Sequence, residues 1–179
     1  MNLSGAYFRC YREEAEAFAH RAMENKIRVD RVMSPTDEVG CLVAELEAEL
    51  SGLYRPEQRH GLSLASLFQS HIRFFIAHMA GMAVGCGGIA LFPDFSELKR
   101  MYVRKSARGL GVADEILRTL SAAAADAGAT SLRLETGAHS TEAIRFYTRN
   151  GFRPCGAFEP YASMPPDAII ASVFMEKEL

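Results

Sequence analysis

Residues 104–117, RKSARGLGVADEIL, place three basic side chains and two glycines directly ahead of a helical pattern. The first backbone N–H groups of a helix lack intrahelical acceptors and carry partial positive charge, so a loop that lets a ligand reach the main chain makes an anion site there. Gly109 and Gly111 give that access, Leu110, Val112 and Ala113 carry neighbouring amides, and Arg104, Lys105 and Arg108 add charge around the rim. Charge-assisted hydrogen bonds contribute about 1.5–3 kcal/mol each, so three or four to a diphosphate would anchor a cofactor at micromolar affinity after association costs. Two familiar phosphate loops do not fit. There is no G-x-x-x-x-G-K-[ST], and a G-x-G-x-x-G reading fails because Asp114 stands at its sixth position, where its charge would repel a phosphate. An ordinary tight turn with solvated arginines is the other reading of the same residues.

The elements that must hold this loop follow from periodicity and punctuation. Residues 11–26 carry Ala15, Phe18, Ala19 and Ala22 at helical spacing, with acids leading and bases trailing, which predicts an amphipathic helix. A strand over 27–33 ends at Ser34-Pro35, a strong helix starts at Asp37 with Thr36 as its N-cap, and a second short helix starts near Ser63. HIRFFIAHM and MAVGCGGIALF flank Ala80-Gly81 as a hairpin, and Pro93-Asp94 turns the chain into SELKRMYV. A helix from about Gly109 to Ala127 ends at Gly128. TSLRLET then reads as a strand, STEAIRFYTRN as a helix closed by Gly151, and FRPCGAF and IIASVFMEKE as two last strands. The expected fold is α/β (α+β): a mixed central sheet of six to seven strands with helices on both faces. Leu98, Met101 and Val103 are apolar at spacings of three and two, so strict alternation cannot put all three on one face. Either a β-bulge between Leu98 and Met101 restores the match, or the sheet is covered on both faces.

At 179 residues and 49% hydrophobic, the chain can bury one sizeable core. A net charge of −2 gives no broad basic field, so nucleic acid is not an expected partner. No apolar run approaches the ~20 residues that span a bilayer, and the N-terminus lacks the basic-then-apolar order of a signal peptide, so no membrane association and a cytoplasmic location are expected. Cys10, Cys41, Cys86 and Cys155 form no C-x-x-C pair, and His60, His71, His78 and His139 are unclustered, so no metal site is expected.

Arg108 to Ala113 fits R-x-x-G-x-A, and the chain here resembles the GNAT superfamily of N-acetyltransferases, whose acyl-CoA pyrophosphate motif has that form between a strand and a long helix. AIRFYTRNGF, from Ala143 to Phe152, looks like the family's late helix and the Asn-Gly-Phe opening its next strand. The likeness runs over residues 27–177 in element order. It implies a GNAT-like domain over 27–179, with 1–26 as a helical extension. It also implies the bulge, which splays the strand from SLRLET and frees backbone groups along Met101, Tyr102 and Val103 for the pantetheine arm of acetyl-CoA. Ser140 stands where many relatives have an asparagine, a departure that removes the side-chain amide contact to the pantetheine arm and leaves Ser140 only as the matching cofactor-side position.

By the same resemblance the reaction is acetyl transfer from acetyl-CoA to a primary amine of a small molecule or peptide, by direct attack in a ternary complex. The nucleophile must be neutral: at pH 7, deprotonating a lysine-like amine of pKa ~10.4 costs about 4.6 kcal/mol, whereas an α-amine near 8 costs about 1.4. Glu97 stands where relatives often place a glutamate base acting through water, with Glu135 next in line and a solvated strand-end carboxylate as the bland alternative. Tyr147 lies on the stripe Ala143, Phe146, Tyr147, Asn150 and points inward; packing alone would explain it, and the resemblance adds protonation of the departing thiolate. A backbone N–H near Met101 or Val103 would stabilise the oxyanion. Acceptor pockets in relatives draw on the segment holding Tyr54, Arg55, Glu57, Arg59 and His60. A non-catalytic acyl-CoA-binding sensor is the competing reading, and a homodimer through the N-terminal helix or last strand stays open.

Overall fold

The computed structural model describes residues 26–179, and the helix expected over 11–26 lies, apart from Lys26, outside the described residues. Seven strands form one open sheet in the order β1-β2-β3-β4-β5-β7-β6. β1 (Arg28–Val32), β2 (Ile72–Met79), β3 (Met82–Leu91) and β4 (Phe95–Val103) run antiparallel in sequence order. β5 (Ser131–Gly137) joins β4 in parallel, and β7 (Ser172–Glu178) pairs antiparallel with β5 and with the two-residue edge strand β6 (Arg153–Pro154). Ala80 and Gly81, with φ of 50° and 75°, make the two-residue β2–β3 loop whose twist suits a hairpin.

Helices cover both faces. On one lies α1 (Asp37–Ser51), whose N-cap Thr36 accepts from the Val39 N–H at 3.3 Å. It buries Val39, Leu42 and Val43 against Phe74, Ile76, Cys86 and Tyr102. On the other lies α2 (Val112–Ala125), whose stripe of Val112, Ile116, Leu117, Leu120 and Ala124 packs with Ile89, Leu98, Leu132 and Leu134. Each such buried aliphatic side chain contributes about 1.5–3 kcal/mol, so this face anchors the helix that carries the anion loop. α3 (Thr141–Arg149) adds Tyr147 to the same core.

Two expected elements differ in the structure. The short helix near Ser63 is a single 3₁₀ turn, Ala65–Phe68, with only Leu67 buried. The strand expected over FRPCGAF shrinks to β6, and the chain then forms a 3₁₀ turn at Tyr161–Ser163 and a short helix α4 (Pro166–Ile169) before β7. Phe158 and Tyr161 explain this: they fold back with Phe174 into a small aromatic cluster, which a continuing edge strand would leave uncovered.

Candidate active site

The bulge in β4 is present. Cys86 pairs with Tyr102 but Gly88 with Lys99, so two residues of β4, Arg100 and Met101, oppose the single Gly87. Leu98, Met101 and Val103 thereby all reach the α2 face, while Tyr102 faces α1. Arg100 takes φ +53°, uncommon for a side-chain-bearing residue, and is held there by bonds to the Leu62 carbonyl and Glu47. β4 and β5 pair only from Phe95–Ser131 to Leu98–Leu134. Beyond Leu98 they separate, so the ends of the two strands are no longer paired with each other, although β4 stays paired with β3 and β5 with β7.

One end of this opening is the loop of residues 108–113. Gly109 and Gly111 have φ of +78° and +83°, so the turn into α2 uses the left-handed region twice. Among the described residues, no acceptor meets the backbone N–H groups of Gly109, Leu110, Gly111, Val112, Ala113 or Asp114. The Asp114 carboxylate accepts from Asn150 Nδ2 at 3.3 Å, with Arg149 at 3.5 Å, and so is drawn toward α3. A Cβ at Gly111 would meet only Ile27 Cδ1, at 3.9 Å, so Gly111→Ala suffers from backbone conformation rather than crowding. That costs about 1–2 kcal/mol, and a thermal melt should fall by a few degrees. A melt unchanged within about half a degree would contradict the left-handed turn.

The arginines sit differently from expectation. Arg104 is forked onto Glu45, Nη2 to Oε1 at 2.7 Å, and donates to the Ala83 carbonyl. This hydrogen bond and charge hold the Glu45 carboxyl below its ordinary range. Arg108 donates through Nε to the Val103 carbonyl at 3.0 Å and through Nη2 to Glu49 at 2.8 Å. Glu45 and Glu49, one turn apart on α1, thus brace the loop from behind, and Lys105 is the exposed cation at the rim.

At the other end stands Glu97, 1% exposed, so the solvated-carboxylate alternative does not hold. Its Oε1 accepts from Lys99 Nζ at 2.7 Å and from the Tyr161 hydroxyl at 2.6 Å, while Oε2 is buried with no partner among the described residues. Burial raises its pKa; the Lys99 charge and these hydrogen bonds oppose the rise, and Glu135 adds to it. Glu135 itself accepts from the Ser172 hydroxyl at 2.7 Å. Tyr147 is buried, its pKa raised by desolvation, and among the described residues its hydroxyl donates only to the Met101 sulfur at 3.6 Å, a weak acceptor. Ser140 does not cap α3: its hydroxyl meets the Tyr54 hydroxyl at 3.0 Å. Tyr54 reaches from the end of α1 to lie against Gly137 at the end of β5, where a Cβ would collide with its ring.

Residues 70–154 match the family described as Acetyltransferase (GNAT) domain. The chain is 39% identical over 145 residues to a protein of Azospirillum brasilense named IAA acetyltransferase, covering 80% of this chain and 92% of that one. The chain belongs to the GNAT acetyltransferase family. A Klebsiella pneumoniae structure assigned to the acyl-CoA N-acyltransferases superposes with TM-score 0.72 at 34% identity, over 86% of this GNAT chain and 98% of that one. The fold alone is shared with the PaiA N-acetyltransferase of Thermoplasma acidophilum, a complex with coenzyme A, at TM-score 0.66 and 18% identity over 86% and 99% of the two chains.

In this GNAT chain Met101 and Val103 line the opening between β4 and β5, Tyr147 touches Met101, and residues 108–113 turn into α2. Three residues near the site were not anticipated in their roles. Lys99 lies two positions beyond Glu97 on the same strand face, a spacing that was legible. Tyr161 and the Tyr54–Ser140 contact join residues 64 and 86 positions away in sequence, which no local pattern signals. His60 also converges here: its ring lies edge-on to Tyr161 at 5.6 Å, and Nε2 is 3.0 Å from the Ala168 carbonyl. Arg59 is paired with Glu47 at 3.1 Å, and Arg55 is exposed.

Proposed function

We propose that this chain transfers an acetyl group from acetyl-CoA to a primary amine by direct attack in a ternary complex, with Glu97 as base and Tyr147 as acid. The observation that carries this reading is the β4–β5 opening, with a row of backbone N–H groups at one end and a buried carboxylate oxygen at the other, none of them with a partner among the described residues. The residues fit the donor. The amides of residues 109–113 suit a diphosphate, and the edge of β4 that faces β5, unpaired with it beyond Leu98, suits a chain of amides. Bound there, acetyl-CoA would supply an electrophilic thioester carbonyl. Glu97 Oε2 takes the amine proton, directly or through water, and Tyr147 stays protonated because its site is dry, so it is a donor for a departing thiolate. Burial pushes the Cys86 thiol up to about 12 and raises that of Cys155, which argues against a covalent route through either. We place the reaction in the cytoplasm on the same reading of its donor.

A non-catalytic sensor would gain nothing from holding a desolvated carboxylate, which costs stability in the absence of a ligand. Free-thiol release from acetyl-CoA is therefore expected across at least part of an amine panel. Thermal stabilisation by acetyl-CoA without thiol release on any acceptor would favour the sensor. Equal stabilisation by ATP would overturn the acyl-CoA reading altogether.

A further inference from the structure

Glu97 is one corner of a closed polar triangle. Lys99 Nζ donates to Glu97 Oε1 at 2.7 Å and lies 2.8 Å from the Tyr161 hydroxyl, which itself donates to Glu97 Oε1 at 2.6 Å. All three side chains are largely buried, Lys99 at 11% exposure and Glu97 at 1%. Glu97 and Lys99 stand on the regularly paired part of β4, opposite Ala90 and Gly88, just before the bulge. Tyr161 is fixed in turn by Phe158 and Phe174, with ring centroids at 5.4 and 5.3 Å. Both donors go to one oxygen, and the other has no partner among the described residues.

We infer that Lys99 and Tyr161 are positioning residues that saturate Oε1 of Glu97, keep the carboxylate ionised in a dry site, and leave Oε2 as the only atom free to accept the acceptor's proton. The inference rests on the assignment of Glu97 as base. The charged and titratable groups facing Glu97 are few. Lys99 comes from its own strand, Tyr161 from the turn before α4, and Glu135 from β5. Arg133, its register neighbour on β5, lies over the Phe95 ring at 4.4 Å and 3.5 Å from Glu176, and His60 touches the edge of Tyr161. Lys99 is the only cation bonded to Glu97 among the described residues, so its charge is the largest influence opposing burial, with the Tyr161 hydrogen bond after it. Oε1 and Lys99 also prevent the carboxylate from rotating, which would hide Oε2.

The test reads Glu97 directly and needs no acceptor. The carboxyl carbon of Glu97 is followed by ¹³C NMR through a pH titration of the full chain, its signal assigned by loss in Glu97→Gln. Lys99→Met should move the midpoint to higher pH, Tyr161→Phe should move it in the same direction by less, and Lys99→Arg should restore it. With an acceptor from the panel, neutral-pH turnover of Lys99→Met should fall on the order of tenfold and recover as pH rises. A structural role alone would lower the rate equally at every pH and leave the midpoint in place, which would overturn the inference. Should Lys99→Met fail to fold, judged by loss of thermal stabilisation by acetyl-CoA, Tyr161→Phe carries the same comparison. An unmoved midpoint there would likewise overturn it. Glu97→Gln with undiminished turnover would instead remove the base assignment, an outcome separate from any shift of the midpoint.

Discussion

Glu97→Gln is expected to lower turnover about 10²–10⁴-fold while leaving the affinity for acetyl-CoA within about twofold. The amide keeps the shape of the carboxyl and can still accept from Lys99, so the packing of β4 against Tyr161 survives. What disappears is the buried carboxylate oxygen that has no partner of its own among the described residues. The effect depends on acceptor basicity. An amine near pKa ~10.4 must lose a proton that costs about 4.6 kcal/mol at pH 7, so its defect should exceed that for an α-amine, where the cost is about 1.4. Equal defects for the two acceptors would point to loss of positioning rather than of a base.

The pH dependence carries a sign that can be checked twice. Burial raises the Glu97 pKa, so wild-type turnover should fall as pH drops through that raised value, and the fall should be absent in Glu97→Gln. Stability moves the opposite way. Because the folded state holds the proton more tightly than the unfolded chain, Glu97 lowers stability as pH rises from the unfolded carboxyl value through the folded one. The substituted amide does not titrate, so the melting temperature of Glu97→Gln relative to wild type should become less unfavourable as pH rises across that window. A relative stability that worsens with pH would contradict a raised pKa.

How far these features were legible depends on range. Thr36 as an N-cap, the Ala80-Gly81 hairpin and the helix behind the glycine loop are set by neighbours within a few residues, and the structure has all three, the helix running over Val112–Ala125 rather than from about Gly109 to Ala127 because Gly109 and Gly111 take left-handed φ. The spacing of Leu98, Met101 and Val103 left two readings, and register alone decides it: the strand is bulged, in a sheet that is also covered on both faces. The arginines of the loop misled because their types suggest a rim, whereas their partners, Glu45 and Glu49, come from a helix 59 residues earlier. Glu97 was found by resemblance to a family, not by its pattern, which suits an exposed strand-end acid equally well. Its burial follows from Tyr161, in a segment beyond β6 whose fold-back no local pattern announces.

Tyr147→Phe is expected to lower turnover about 10- to 100-fold with acetyl-CoA affinity nearly unchanged. The hydroxyl's one contact among the described residues is the thioether of Met101 at 3.6 Å, so its removal should cost less than about 1 kcal/mol of stability. The ring stays braced by Phe146 and Phe152, at 5.3 and 5.4 Å between centroids, so the α3 core is preserved and a rate loss cannot be laid to unfolding. A sulfur is the natural neighbour of this hydroxyl even without a substrate, and a thiolate is a far stronger acceptor than a thioether. Since burial raises the phenol's pKa, the group should remain a donor across the neutral range, and the wild-type rate should show no fall there that Tyr147→Phe abolishes. A solvent deuterium isotope effect on turnover should be present in wild type and reduced in the variant. If both enzymes turn over alike, Tyr147 is a core aromatic, and the thiolate departs without help from this chain.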